Sequence, residues 1–94
     1  MAATVKIAMW TSWETRCGIA TYTAALTDAL RDLGVEVDVV RVPYTNRDPD
    51  EMRKTLAQLN AADLAHLQHE YTFFGGIAPG VSSLPAYYRG LQVP

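Results

Sequence analysis

The hydrophobic residues of this chain alternate between two periods along its length. Three short runs rich in Val, Ile and Leu, at residues 4–10, 35–42 and 63–68, have the composition of strands that are covered on both faces. Between these runs, apolar residues recur every three or four positions, as they do in amphipathic helices. The alternation predicts an α/β fold of the order β-α-β-α-β-α, a partial Rossmann-like sheet of parallel strands.

The first predicted helix follows the first strand and ends at Gly34, which supplies a stop signal. Its apolar residues recur at steps of three and four, so they are expected to form the stripe that faces the sheet. This predicted stripe comprises Ile19, Tyr22, Leu26, Leu30 and Leu33.

The second predicted helix has a well-marked start. Asp48 can cap it, Pro49 suits the first helical position, and Glu51 can complete a capping box. A third helix of one or two turns is expected within residues 81–92, although Pro85 and Gly90 weaken the pattern. In the second helix the expected buried residues are Met52, Leu56 and Leu59.

Composition excludes several classes of protein. The chain has 94 residues, 49% of them hydrophobic, with ten acids against eight bases, which fits one globular domain at residues 1–94 and gives no basic patch for nucleic acid. One cysteine, Cys17, cannot form an internal disulfide, and with two histidines it falls short of a structural metal site. Neither a signal peptide nor a run of about 18 apolar residues is present, so a cytoplasmic chain is predicted.

Two polar segments are expected at the edge of the sheet where doubly wound folds bind ligands, beyond the carboxyl ends of the strands. One is "TSWETRCG" after the first strand, and the other is "HEYTFFGG" after the third, which begins with His69 and Glu70. A dinucleotide fingerprint needs several glycines, whereas Gly18 stands alone, and no Gly-Lys pair provides a phosphate loop. These two nucleotide-binding motifs are therefore absent.

Gly18 precedes a helix that has no acidic residue before Asp28. The amides at such a helix start can hold an anion such as a phosphate. Alternatively, Gly18 only allows the loop to turn into the helix. Cys17 directly precedes Gly18 at this helix start. It is either a thiol of lowered pKa or, as we favour, a small apolar residue that fills space.

Two segments taken together resemble a known family. "KIAMW" leading to "CGIATYTAALTDALRDLGVEVDVV", followed by "ADLAHLQHEYTFFGG", is similar to the amino-terminal part of retaining, nucleotide-sugar-dependent glycosyltransferases of the GT-B fold, of the group 1 or family 4 type. The resemblance spans residues 6–76. It implies the amino-terminal half of a GT-B acceptor domain, without the donor-binding domain.

The resemblance also implies an activity for the parent protein. Such enzymes transfer a sugar from a nucleotide-sugar donor to a sugar, lipid-linked or small-molecule acceptor, with the nucleotide-sugar as co-substrate and no further cofactor or metal. The parent enzyme would be cytoplasmic and can associate peripherally with a membrane. A chain that lacks the donor-binding domain is expected to be inactive alone.

The resemblance assigns roles to few residues. Gly18 and Cys17 match the loop that approaches the donor phosphate or transferring sugar, although Cys17 stands where the family frequently has glycine. No catalytic residue is assigned, because retaining transfer has no agreed protein nucleophile in this family. The acceptor-side candidates are His69, Glu70, Tyr71 and Trp13.

Each of these residues also has a structural interpretation. His69 either caps a strand end or contacts a ligand, Glu70 either accepts hydrogen bonds from hydroxyl groups or is a solvated charge, and His66 is expected to be a satisfied core histidine. The aromatic residues can stack on a sugar, but we favour packing against the protein. They are Trp13, Tyr71, Phe73 and Phe74.

Two other functions and one structural expectation stay open at this point. The same edge can serve a nucleotide or metabolite in another Rossmann-like family, or the chain can be a non-catalytic interaction module. A sheet of order 3-2-1-4 without its fourth strand would leave the first strand as an open edge. The chain is then expected to self-associate through that edge and to be marginally stable.

Overall fold

The computed structural model describes residues 4–12, 18–42, 48–69, 73–75 and 82–94. Strands and helices alternate in the predicted order. Within these ranges the elements are the strands β1 (Lys6–Thr11), β2 (Glu36–Arg41) and β3 (Leu64–Leu67), and the helices α1 (Gly18–Asp32), α2 (Pro49–Asn60) and α3 (Leu84–Gly90), with a 3-10 turn at Phe73–Gly75 before α3.

The strands form a three-stranded parallel sheet in the order β2-β1-β3. Lys6 pairs with Glu36 at the start of β1, and Ile7 pairs with Leu64. The α/β class and the parallel sheet are thus confirmed, and they are compatible with a partial Rossmann-like fold.

The expectation that β1 is an open edge is wrong. β1 is the central strand and is hydrogen-bonded on both sides, because the connection through α2 carries the chain across β1 and places β3 beside it. The outer strands of the sheet formed by the described strands are therefore β2 and β3.

The two faces of the sheet are covered by different helices. The Oγ1 atoms of Thr11 and Thr23 lie 3.1 Å apart, which places α1 over the face that carries Thr11. The opposite face carries Ala8 and Trp10, which belong to the main core together with residues of α2 and α3. The buried members of this core are Ala8, Trp10, Val40, Val42, Leu59, Ala62, Phe73, Phe74 and Tyr87.

The stripe of α1 that faces the sheet differs from the predicted one. The buried residues are Ala20, Thr23 and Thr27, whereas Tyr22 is 61% exposed and Leu33 is 80% exposed. The remaining predicted residues, Ile19, Leu26 and Leu30, are half-buried along one flank of the helix. Small side chains face the sheet because they allow the helix backbone to approach the strands closely, so the larger apolar residues are displaced to the flank.

Both predicted helix boundaries that involve a glycine or a cap are confirmed. Gly34 has a φ of 87°, its amide donates to the carbonyl of Arg31, and the amide of Val35 donates to the carbonyl of Leu30, which is the bonding pattern of a Schellman motif. At α2, Asp48 is the N-cap and accepts a hydrogen bond from the amide of Asp50 at 2.9 Å.

The interior of α2 follows its predicted pattern. Leu59 is fully buried, while Met52 and Leu56 are partly buried against the main core. At the start of this helix the side chain of Asp48 caps the amide of Asp50, and the additional capping-box bond from Glu51 stays a prediction.

α3 forms in spite of Pro85 and Gly90. Pro85 lies in the first turn, where its missing amide proton costs no helical hydrogen bond, and Gly90 is the last residue of the helix. A Cβ atom at Gly90 would lie 2.5 Å from Cδ1 of Leu56, so the absence of a side chain there allows α3 to approach α2.

His66 is not a core histidine, contrary to the prediction. It is exposed, and it pairs with Met9 on the face of the sheet that carries α1. The two neighbours of His66 in β3, Ala65 and Leu67, lie on the other face of the sheet and pack against the main core. Among the described elements, α1 contacts the sheet mainly at β1 and β2, which is consistent with the exposure of His66 on this face of β3.

Tyr87 is a buried core residue whose ionisation affects the stability of the protein at alkaline pH. Burial raises the pKa of its phenol above the ordinary value of 10.0, and the nearby carboxylate of Glu51 raises it further, while a hydrogen bond with Thr55 acts in the opposite direction. The unfolded chain therefore loses this proton at a lower pH than the folded chain, so the stability that Tyr87 contributes is present below pH 10 and is lost as the pH rises above it.

We expect the thermal midpoint of the Tyr87→Phe variant to fall less steeply above pH 10 than that of the unmodified chain, because the variant has no phenol to ionise at this position. Tyr88→Phe is the matched control, since Tyr88 lies on the same helix and is 55% exposed. Thermal melts from pH 8 to 11 check the prediction. Equal alkaline limbs in the Tyr87→Phe variant and the unmodified chain would contradict it.

Candidate functional site

The carboxyl ends of β1 and β3 bring the two predicted ligand-binding segments to the same edge of the sheet. β1 ends at Thr11 and leads toward Gly18, and β3 ends at Leu67 and leads to His69. Because β1 and β3 are paired neighbours, with Trp10 opposite Leu67, the segments that follow them leave from adjacent positions. Gly18 and His69 therefore both follow the carboxyl ends of neighbouring strands.

Gly18 is the first residue of α1 and is exposed. A Cβ atom built on it meets no described atom within 4 Å, and its φ does not lie in the left-handed region. Neither its backbone conformation nor its packing within the described residues therefore requires glycine. The lack of a side chain instead leaves the start of the helix accessible.

The electrostatic environment of this helix start favours an anion. α1 has 15 residues and no acid in its first turn, whereas α2 has Asp50 and Glu51 in its first turn in addition to the Asp48 cap. Acids at α2 neutralise the positive end of the helix dipole, and α1 has none in the corresponding positions. The amides in the first turn of α1 can therefore donate to a bound anion.

A pair of buried hydroxyl groups supports the junction between β1 and α1. Thr11 and Thr23 are fully buried, and the hydroxyl of Thr11 also lies 3.0 Å from the carbonyl oxygen of Ser12, to which it can donate. The bond to Thr23 joins the end of the strand to the second turn of the helix. It fixes the position of the helix start relative to the sheet edge.

His69 is exposed at the end of β3 and lies against a pair of aromatic rings. Its ring centroid is 6.4 Å from that of Phe73 and 6.0 Å from that of Phe74. These rings limit where the imidazole can lie while leaving it accessible from solvent. An imidazole can donate one hydrogen bond and accept another, which suits recognition of a hydroxyl group.

The prediction that Phe73 and Phe74 serve packing is confirmed, because they are 1% and 0% exposed. Phe74 lies 4.8 Å from Trp10 and 5.5 Å from Tyr87, measured between ring centroids. Both pairs have edge-to-face geometry, which aromatic rings prefer.

Phe74 also has an unusual backbone conformation, with φ 61° and ψ 26°. This left-handed conformation is costly for a residue with a bulky side chain. The burial of its ring and a hydrogen bond from the amide of Ser83 to its carbonyl, at 2.9 Å, hold it in place. Strained residues of this kind occur at ligand sites, and the ring of Phe74 lies 6.0 Å from that of His69, measured between centroids.

Four of the predicted site residues lie outside the described residues. They are Trp13, Cys17, Glu70 and Tyr71. Their assigned roles therefore stay predictions, and the described part of the site consists of Gly18, His69 and the groups that support them.

The sequence interpretation missed the Thr11–Thr23 pair and the strain at Phe74. Ala20, Thr23 and Thr27 recur at steps of three and four, so a search for small residues at helical spacing would have found the buried face of α1. The conformation of Phe74 has no local signal, because glycine or asparagine is the usual residue at a positive φ.

A separate groove of about 530 Å³ lies between β2 and α2. Its lining includes neither Gly18 nor His69, and most of its side chains are exposed charged groups of both signs. The lining residues are Val39, Arg41, Asp48, Asp50, Glu51, Lys54, Thr55 and Gln58.

The described residues provide neither a metal-binding cluster nor a helix suited to span a membrane. No group of three or more His, Cys, Asp or Glu side chains in that part of the chain is arranged to hold a metal ion. None of the helices described there combines the length and the hydropathy needed to cross a bilayer.

Comparison of the chain with protein-family models, with curated proteins and with solved structures found no match.

Proposed function

We propose that this chain is the acceptor-side, amino-terminal part of a retaining glycosyltransferase of the GT-B type. The parent enzyme transfers a sugar from a nucleotide-sugar donor to a sugar, lipid-linked or small-molecule acceptor. The observation that carries the proposal is the accessible start of α1 at Gly18, which has no acid in its first turn and lies at the carboxyl edge of a parallel sheet.

In this proposal the start of α1 receives the donor phosphate. The phosphate carries the charge that the amides in the first turn and the helix dipole stabilise, and a side chain at Gly18 would occupy the space through which it approaches. Cys17 precedes Gly18 in the segment to which the resemblance assigns this role. The Thr11–Thr23 bond holds the helix start in position before the ligand binds.

The acceptor is assigned to the neighbouring segment after β3. His69 hydrogen-bonds an acceptor hydroxyl, with its orientation limited by Phe73 and Phe74. Glu70, Tyr71 and Trp13 complete the acceptor side of the cleft. Because transfer also requires the donor-binding domain, the described chain binds ligands but does not catalyse transfer alone.

The proposal predicts that a diphosphate perturbs the amides at the start of α1. Titration of the isotope-labelled chain with uridine diphosphate and with inorganic pyrophosphate should shift the amide signals of Gly18, Ile19 and Ala20. Gly18→Val should abolish these shifts while the fold is retained, since a Cβ atom at this position meets no described atom.

Two variants complete this experiment. Ala25→Val introduces the same branched side chain at an exposed position of the same helix, and it should leave the diphosphate shifts unchanged. His69→Ala should also leave them unchanged, because His69 is assigned to the acceptor. Shifts of equal size in the Gly18→Val and Ala25→Val variants, or no shifts at the helix start in the unmodified chain, would reject the proposed donor site.

A further inference from the structure

The groove of about 530 Å³ between β2 and α2 is within the size range of small-molecule sites, which is about 300 to 1,000 Å³. It is separate from the candidate donor and acceptor residues, which do not line it. One wall is the outer edge of β2 at Val39 and Arg41, and the other is the side of α2 that carries Glu51, Lys54 and Thr55. A molecule in the groove therefore meets both main-chain groups of a strand and charged side chains of a helix.

The edge of β2 that faces the groove presents main-chain groups. The amides of Glu36 and Val42 donate toward β1, so alternate positions between them also face β1, and Val39 directs its amide and its carbonyl to the outer edge. The preceding outward carbonyl, that of Val37, accepts a hydrogen bond from Nη2 of Arg31 at 2.9 Å. No described residue bonds to the amide or the carbonyl of Val39 on this side, so both are available to a ligand.

Two of the charged side chains in the groove are already engaged. Asp48 caps α2 through the amide of Asp50, and the carboxylate of Asp50 forms an ion pair with Arg53. Glu51 and Lys54, by contrast, form no ion pair with a described side chain. They lie three positions apart on α2, so their Cβ atoms are about 5 to 6 Å apart on one face of the helix. The groove thus carries a carboxylate and an ammonium group as close neighbours.

Thr55 anchors the α2 wall of the groove to the main core. It is 7% exposed, and its hydroxyl is hydrogen-bonded to the phenol of Tyr87, which is 3% exposed. The carboxylate of Glu51 lies near the same phenol. The helix is therefore fixed relative to the core before a ligand binds, which lowers the entropy cost of binding.

We propose that this groove binds the zwitterion of an α-amino acid. The ammonium group of the ligand is held by the carboxylate of Glu51 and the carbonyl of Val39, and its carboxylate is held by the ammonium group of Lys54 and the amide of Val39. A free α-amino acid carries both charged groups on one carbon atom, which matches two opposite charges that are close neighbours on the helix. A ligand with one charge would leave one of these two side chains unmatched. The inference does not depend on the proposed function, since the two sites share no residue.

Titration of the isotope-labelled chain with leucine and three blocked forms of leucine tests this proposal. Leucinamide lacks the carboxylate, N-acetylleucine lacks the ammonium group, and N-acetylleucinamide lacks both. Free leucine should shift the amide signals of Val39 and Lys54, and it should bind about fivefold more tightly than either singly blocked form, as the value of one exposed ion pair implies. Glycine, which carries the zwitterion without a side chain, should shift the same amide signals.

Two variants assign the two charges of the ligand. Glu51→Gln should weaken the binding of leucine and of leucinamide by about fivefold and leave that of N-acetylleucine unchanged. Lys54→Gln should weaken the binding of leucine and of N-acetylleucine and leave that of leucinamide unchanged. Both positions are exposed, so the fold should be retained. The controls Asp28→Asn and Arg89→Gln each remove one charge at an exposed position outside the groove lining, and they should change none of the affinities.

Three results would overturn the inference. The first is the absence of a shift at the Val39 amide with leucine and with glycine. The second is equal affinity for leucine and for N-acetylleucinamide, which would assign the groove to the main chain of an extended peptide. The third is an equal loss of affinity in the control variants and in the groove variants, which would show a response to net charge alone.

Discussion

Phe74→Ala is expected to lower the free energy of unfolding by about 3 to 5 kcal/mol, as truncation of a buried phenylalanine does. Phe74 is fully buried and contacts the rings of both Trp10 and Tyr87, so the substitution leaves a cavity in the centre of the main core. Domains of this size have only several kcal/mol of stability, so this variant should be largely unfolded in plain buffer. Urea titrations in sucrose, which favours the compact state, keep the transition measurable.

Phe74→Gly should be more stable than Phe74→Ala by about 1 kcal/mol, which reverses the usual order of these residues. Both variants lose the same ring, but alanine retains the strain of the left-handed conformation and glycine does not. The comparison therefore separates packing from backbone strain. A glycine variant less stable than the alanine variant would show that the positive φ of Phe74 does not cost stability in the folded protein.

Asn60→Ala is expected to lower the free energy of unfolding by about 1 to 3 kcal/mol. The variant loses the bonds to the carbonyl of Gly90 and the amide of Gln92, and this loss exceeds the small gain in helix propensity that alanine brings. The amide of Ala65, which donates a hydrogen bond to the carbonyl of Pro94, should exchange faster as well, because Asn60 no longer holds the segment that leads from Gly90 to Pro94. Urea unfolding and amide exchange measure the two effects.

The control for Asn60→Ala is Gln58→Ala on the exposed side of the same helix. It removes a side-chain amide that makes no bond to α3, and it should change stability by less than about 0.5 kcal/mol. If Asn60→Ala lowered stability but left the Ala65 amide unaffected, Asn60 would serve only the junction of α2 and α3, and its role in holding the segment that leads to Pro94 would be wrong.

Local patterns were sufficient for the elements and their order. The apolar runs predicted all three strands of the described sheet, and Gly34 and Asp48 predicted the helix boundaries that the structure has. These features depend on backbone conformation and on bonds between residues close in sequence. The same patterns placed Gly18 and His69 at one edge, because parallel strands have their carboxyl ends on the same side.

Hydrophobic periodicity was not sufficient to identify the buried side of α1. The pattern favoured Tyr22 and Leu33, whereas the sheet is contacted by Ala20, Thr23 and Thr27. Periodicity detects large apolar residues, but the face of a helix that lies closest to a sheet is selected by size. The flank that carries the larger residues is recognisable only when the position of the helix over the strands is known.

The sequence by itself determined the alternation of strands and helices, the helix ends and the common edge of the two candidate segments, since each follows from local conformational preference and from the directionality of parallel strands. The tertiary structure alone decided that β3 lies beside β1, that His66 is exposed and that Phe74 is held at a positive φ. These outcomes depend on contacts between residues distant in sequence. Strand order in particular is set by which helix crosses the central strand, and the lengths and compositions of these strands are compatible with more than one order.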